Sequence, residues 1–402
     1  MRIIIIGGGA AGFFAACSAA QHHRQAEVIL IEKTSKPLAK VKVSGGGRCN
    51  VTHNCLEINK LANFYPRGEK FLKKAFHQFS VKDTLQWFEE RGVALKAEED
   101  GRIFPVSDSS QSIIDCLQRE TQRLGIQVLT QTDVLKLEQK NEQWQVHTPK
   151  KVWQADKVVV ATGGSPKLDG LQWLADLGHE IVTPVPSLFT FNVPKHPINA
   201  LMGVAVPTTK VRIQGTKLAE EGALLITHWG FSAYAVLRLS AWGARLLADM
   251  QYQFTILITW VNHYNEEQLR SFLQQQKVQF PKRQISNRNP FELPNRLWDF
   301  FLENLEIPSE KIWGELSKQD INRLTNKLLN DEYKVNGKTT FKEEFVTCGG
   351  VSLQDIDINT MQSKKCPNLY FAGEVMDIDG ITGGFNFQAA WTTGFIAGKL
   401  LK

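Results

Sequence analysis

The chain opens on four consecutive isoleucines, Ile3 to Ile6, that lead directly into Gly7-Gly8-Gly9-Ala10-Ala11-Gly12. A buried strand that ends on G-x-G-x-x-G and passes into a small-residue helix, here over 10–20, is the plan of a dinucleotide-binding βαβ unit. In that plan Gly7 allows the tight turn, Gly9 lets a pyrophosphate approach the backbone, and Gly12 lets helix and strand pack closely. The free amides of Ala10 and Ala11 at the helix start then face the phosphates. A second apolar run, 28–31, completes the unit and predicts a parallel sheet. Glu32 ends that run 20 residues past Gly12, where a carboxylate accepts both hydroxyls of an adenosine ribose.

At 402 residues, with 43% hydrophobic and 22% charged content, the chain has material for one large core and one or two smaller domains. A net charge of +6, from 47 basic and 41 acidic residues, permits anionic ligands without singling out nucleic acid. Lys33, Lys36, Lys40 and Lys42 fall close together, a pattern that usually marks a solvated loop with at most a phosphate contact. The six cysteines form no CxxC pair and no zinc spacing, so no metal is expected, and reduced thiols fit a cytoplasmic protein. No apolar stretch reaches membrane length, and the residues before the glycines are too few for a signal-peptide core.

Beyond the opening unit a long loop is expected over 33–54, then helices near 71–79, 82–91 and 109–124. Short alternating segments at 128–138, 144–147 and 152–153 predict a small antiparallel sheet feeding the apolar run 158–161. From 184 to 336 the grain changes: strand-like pieces at 204–206, 211–213, 223–226 and 254–258, with a helix over 235–248, give way to helical patterns at 266–275, 297–305 and 320–329. The C-terminal stretch returns to glycine-rich turns, an apolar run at 369–372 and a helix over 387–401. The expected fold is α/β: a Rossmann-like domain of 1–185 and 337–402, split by an inserted domain over 186–336. The β part of the insert is expected to end near 260 and its helical part to fill 261–336.

Three further clusters favour FAD over NAD as the bound dinucleotide. Lys42-Val43-Ser44-Gly45-Gly46-Gly47-Arg48-Cys49-Asn50 follows the second strand, and three glycines in a row suggest backbone closing over an extended ligand. The run 158–161 ends in Ala161-Thr162-Gly163-Gly164, a tight turn where a doubly wound sheet meets its ligand. The last cluster joins Gly373, Glu374 and Asp377 to Gly383, Gly384, Asn386, Phe387 and Gln388. An acidic side chain there suits ribityl hydroxyls, and the following helix aims its N-terminal amides at the pyrimidine edge of a flavin. Lys33 and Val134 complete the candidate cofactor contacts.

These residues resemble the BaiN-type, bile-acid-inducible flavoprotein-like, bacterial NAD(P)/FAD-dependent oxidoreductases nearly end to end. The marks are 7–12, 44–50, 161–164, Thr227-His228-Trp229-Gly230-Phe231-Ser232, Thr347-Cys348-Gly349-Gly350-Val351 and the block 370–388. The resemblance implies an FAD-binding Rossmann domain split by an insert of β and helical parts, and reductase or oxidase activity. One departure stands out: the family continues past the serine with Gly-Pro, whereas Ser232 precedes Ala233-Tyr234.

With a flavin to carry hydride, the protein supplies orientation and tuning. Candidate side chains for the chemistry are few. His228 is a polar group that the insert can bring to the flavin, Arg48 suits a phosphate or carboxylate, and Cys49 is a thiol without a resolving partner nearby. The primary expectation is oxidation or reduction of a small organic substrate, with NADH or NADPH as transient donor. The alternative is a flavin-containing protein that binds or modifies RNA.

Overall fold

The computed structural model describes residues 1–339 and 346–401. Its contacts separate two compact units, Met1–Ser187 with Phe341–Lys402, and Leu188–Thr340.

The first unit is built on a five-stranded parallel sheet in the order Leu369–Phe371, Lys157–Val160, Arg2–Ile6, Glu27–Ile31, Gln127–Leu129. Ile6 pairs with both Ile31 and Val160, and Val160 pairs with Phe371, so all four strands end level. That register gathers the first glycine turn, Glu32, the turn after Val160 and the turn after Phe371 along one carboxyl edge. The helix Ala10–His22 is buried through most of its length because the terminal helix Phe385–Lys399 lies against it. Gly394 and Gly398, one turn apart, make the approach possible: a Cβ on either would strike the backbone oxygen of Ala11 or Ala15.

Several elements differ from the sequence reading. The stretch 33–54, expected as a loop, contains a helix, Ala39–Gly47, entered from Leu38 at φ 60°. It has no polar cap and an alternating Ala-Lys-Val-Lys-Val composition, so its stability comes from burying Leu38 and Val41, a tertiary effect. Gln127–Leu129, expected in the small antiparallel sheet, instead pairs parallel with Glu27–Ile31. That small sheet is made of Lys136–Lys140, Gln143–His147 and Val152–Ala155. Its first hairpin turns on Asn141 and Glu142, both at positive φ, as a two-residue turn between right-twisted strands requires.

The second unit holds a seven-stranded antiparallel sheet ordered Asp331–Asn336, Gln253–Thr259, Ala205–Ile213, Ala219–Ile226, Gly230–Ser232, Thr190–Asn192, Lys338–Thr339. Asp331–Asn336 falls in the stretch expected to be helical. Its residues alternate buried and exposed, a period of two that the preceding helix Lys318–Leu329 masks in the sequence. The helix expected over 235–248 is two, Tyr234–Trp242 and Ala244–Asp249, interrupted at Gly243. Ala233 takes φ 75° and ψ −167°, a region that side chains strain to enter.

Candidate functional site

At the carboxyl edge of the parallel sheet the glycines of the first turn serve different ends. Gly7 sits at φ 113° with its missing Cβ directed at the carbonyl of Ala161, and a Cβ on Gly12 would strike the Gly7 carbonyl. Both are demanded by packing. Gly9 is not: its φ is −90°, and nothing lies within 4 Å of where a Cβ would stand. The protein alone gives no reason for glycine there, whereas a pyrophosphate against the backbone does. The Gly8 amide donates to Glu32 Oε2 at 2.7 Å and the Thr34 amide to Oε1 at 2.8 Å. Glu32 is thereby aimed with lone pairs left over for hydroxyl donors. Lys33 beside it is exposed, and Val134 is half-buried in a loop that the Gln131 and Thr132 amides tie to the carbonyls of Thr34 and Glu32.

The second glycine turn is pinned to the first, because the Leu38 amide donates to the Gly8 carbonyl at 2.8 Å. The helix breaks at Ser44, whose hydroxyl donates to the Val41 carbonyl. Gly45, Gly46 and Gly47 then follow at φ 58°, 69° and 86°. Gly46 and Gly47 have open space where side chains would be, and Lys42 is exposed. The turn after Val160 contributes an exposed Thr162 and Gly163 at φ 76°, also open.

Glu374 links three segments. Its Oε1 accepts from the Thr347 amide at 2.7 Å, its Oε2 pairs with Lys40 at 2.9 Å, and a Cβ on Gly164 would press on both Thr347 and Glu374. Gly373, at φ 74°, donates its amide to Thr393 and packs on Ala11. Asp377 is half-buried, its amide donating to the Val351 carbonyl. Gly383 and Gly384, at φ 129° and 92°, lead into the terminal helix, and the Gly384 amide donates to the Asn50 side-chain oxygen at 3.0 Å.

Four candidates are occupied otherwise than expected. Gln388 is fully buried, accepts from Thr52 and Thr84 and donates to Thr392, so its amide serves the core rather than a ligand. Asn386 makes both its bonds, each 2.8 Å, to the backbone of Gly380 and shapes the loop instead. Arg48 pairs with Glu98 at 2.6 Å and lies over the Phe104 ring at 3.9 Å, which directs its charge at a carboxylate of the protein. Cys49 is buried, and burial pushes its thiol up to about 12, which keeps it protonated and inert as a redox group. Phe387 stacks on Trp391 with centroids 5.6 Å apart. His228 belongs to the second unit, where it is exposed with its ring against Trp229.

Some polar groups escaped the sequence reading. The Thr347 hydroxyl, beside Glu374, is buried without a partner, as is His53 Nδ1, whose ring stacks on Phe385 at 4.8 Å. Burial lowers the His53 pKa and keeps the ring neutral. Asp379 is fully buried and pairs with Arg67 and Ser187. Burial pushes its carboxyl up to about 6 against the pull of Arg67. Thr347 and Asp379 lie within the marks of the resemblance, at 347–351 and 370–388, without being singled out there, and no spacing rule marks His53.

The family model described as the HI0933-like protein Rossmann domain matches residues 1–400. The chain belongs to this family. A ribosomal RNA dihydrouridine synthase of Escherichia coli is 31% identical over 375 residues, 91% of this chain and 90% of that one. A 3-dehydro-bile acid delta(4,6)-reductase of Clostridium scindens is 28% identical over 385 residues, 93% and 92% of the two chains. In fold the chain resembles the open conformation of a flavocytochrome c3 fumarate reductase, with a TM-score of 0.51 at 17% identity over 99% of this chain and 77% of that one. This member of the HI0933-like family is an FAD-dependent oxidoreductase. The open positions at Gly9, Gly46, Gly47 and Gly163 and the orphaned Thr347 hydroxyl fit a long polar cofactor laid across the edge. Among the described residues no helix is long and apolar enough to cross a membrane.

Proposed function

We propose that the chain reduces a carbon–carbon double bond conjugated to a carbonyl, with NADH or NADPH as the source of the electron pair. The observation that carries this reading is what two relatives of similar identity have in common. Dihydrouridine is uridine with its ring double bond saturated, and a delta(4,6)-reductase of a 3-oxo steroid saturates bonds of the same electron-poor kind. Bound FAD supplies the hydride for such a step at N5.

The chain's own residues then divide the work of holding it. Gly7, Gly9 and Gly12 with the Ala10 and Ala11 amides take the pyrophosphate, and Glu32, Lys33 and Val134 the adenosine end. Lys42, Ser44, Gly46, Gly47 and Asn50 with Ala161, Thr162 and Gly163 line the path between. Gly373, Glu374 and Asp377 meet the ribityl hydroxyls, while Gly383, Gly384 and Phe387 begin the helix whose amides favour negative charge on the reduced ring. In this reading 1–185 and 337–402 form the flavin domain, the insert 186–336 selects the substrate, and the protein works in the cytoplasm.

A second reading of the substrate, a uracil ring within RNA, is favoured by the RNA-directed name of the Escherichia coli relative. Both are tested together. Anaerobic NADH and NADPH should bleach the visible band of the yellow protein, and a steroid enone or a uridine-containing RNA should restore it. Restoration by RNA with gain of two hydrogens on uracil selects the second substrate. A reduced protein that neither acceptor reoxidises refutes the double-bond reading.

A further inference from the structure

The helix Glu69–Ala75 buries Phe71, Leu72 and Ala75 and exposes Lys70, Lys73 and Lys74. At spacings of three and four these lysines share one face, their Cβ atoms about 5–6 Å apart for such pairs. Among the described residues none of the three pairs with a carboxylate. The exposed Glu69 opens the same helix, while Glu57 is engaged with Lys60 and Asp83 with the amide and hydroxyl of Ser80. Lys82 and His77 are also exposed just beyond the helix.

The segment that enters this helix is tied to the loop that begins the terminal helix. Gly68, at φ 83°, packs on Ile378, the Ile381 amide donates to the Phe64 carbonyl at 3.0 Å, and Arg67 pairs with Asp379. The Tyr65 hydroxyl donates to the Phe385 carbonyl at 2.7 Å. The segment 64–68 that enters the lysine helix is thereby held against Ile378 to Phe385, within the stretch assigned above to the flavin.

We propose that Lys70, Lys73 and Lys74 form a docking surface for the phosphate backbone of RNA, positioned to offer a neighbouring unpaired uridine to the flavin site; this rests on the second reading of the substrate. Unpartnered lysines in a row neutralise phosphates and release their counterions, so binding weakens steeply with salt. RNA is favoured over an anionic membrane because the helix keeps its apolar side inside the protein and has nothing to insert among lipid chains.

The test uses the full FAD-loaded chain, a labelled uridine-rich stem-loop RNA and purified ribosomal RNA across a salt series. The wild type should bind with a steep log–log salt slope. Lys70→Glu with Lys73→Glu and Lys74→Glu should lower affinity tenfold or more and flatten the slope by about 2–3, at roughly 0.7–0.9 per lost phosphate contact, with flavin absorbance and NAD(P)H reduction unchanged. A matched control, Lys140→Glu with Lys150→Glu and Lys364→Glu, makes the same change in net charge at exposed positions outside both the insert and the flavin turns. Equal losses in both variants, or RNA binding untouched by the first, overturn the surface and leave the RNA reading standing. No RNA binding by the wild type at low salt removes the RNA reading itself. Binding to phosphatidylserine vesicles in preference to RNA overturns the proposal in favour of a membrane.

Discussion

Two glycine-rich turns sit side by side on the carboxyl edge, and they need glycine for opposite reasons. In the first, Gly7 and Gly12 are crowded by backbone, while Gly9 has an ordinary φ and open space. In the second, Gly46 and Gly47 have all the space a side chain needs, yet lie at φ 69° and 86°. A glycine required by packing fails with the fold, one required by φ costs strain, and one required by neither reports the ligand.

Substitutions separate these cases. Gly12→Val drives a branched side chain into the Gly7 carbonyl, and the expected outcome is insoluble protein; recovery of a folded, soluble variant would show that the helix can back away. Gly9→Val should leave a cooperative melt within a few degrees of wild type but a colourless protein, read from the visible spectrum; full flavin content would put the pyrophosphate elsewhere. Glu32→Ala should weaken FAD by roughly 1.5–3 kcal/mol, the scale of hydrogen bonds to a charged group, measured by flavin fluorescence. Gly46→Ala should cost about 1–2 kcal/mol for a non-glycine residue in the left-handed region, lowering Tm by several degrees.

The smallest effect tests the φ argument outside the turns. Ala233→Gly should stabilise by roughly 1 kcal/mol, the relief of a strained conformation less the entropy cost of glycine. An unchanged or lowered Tm would mean that the 233 backbone carries no strain.

What could be read along the chain was whatever local chemistry dictates. Ile3 to Ile6, the spacing of Gly7, Gly9 and Gly12, and Glu32 declare a strand, a turn, a helix and a second strand without reference to anything distant. The helix Ala39–Gly47 was hidden because its stability lies in the burial of Leu38 and Val41 by other elements. Gln127–Leu129 was placed in the wrong sheet because alternation reports a strand and not its neighbour. For the same reason the block 370–388 located a polar loop and helix start, but not that Gln388 turns into the core or that Asn386 clasps Gly380.

Sequence by itself determined the opening strand, turn, helix and second strand and the positions of the glycine turns, since each depends on residues within a few positions of one another. Tertiary structure alone decided which polar groups pair with one another: Arg48 with Glu98, Asp379 with Arg67 and Ser187, and Glu374 with Lys40 and Thr347. Partners brought together from distant parts of the chain leave no periodicity behind, because hydrogen bonding and burial act through space and not along the backbone.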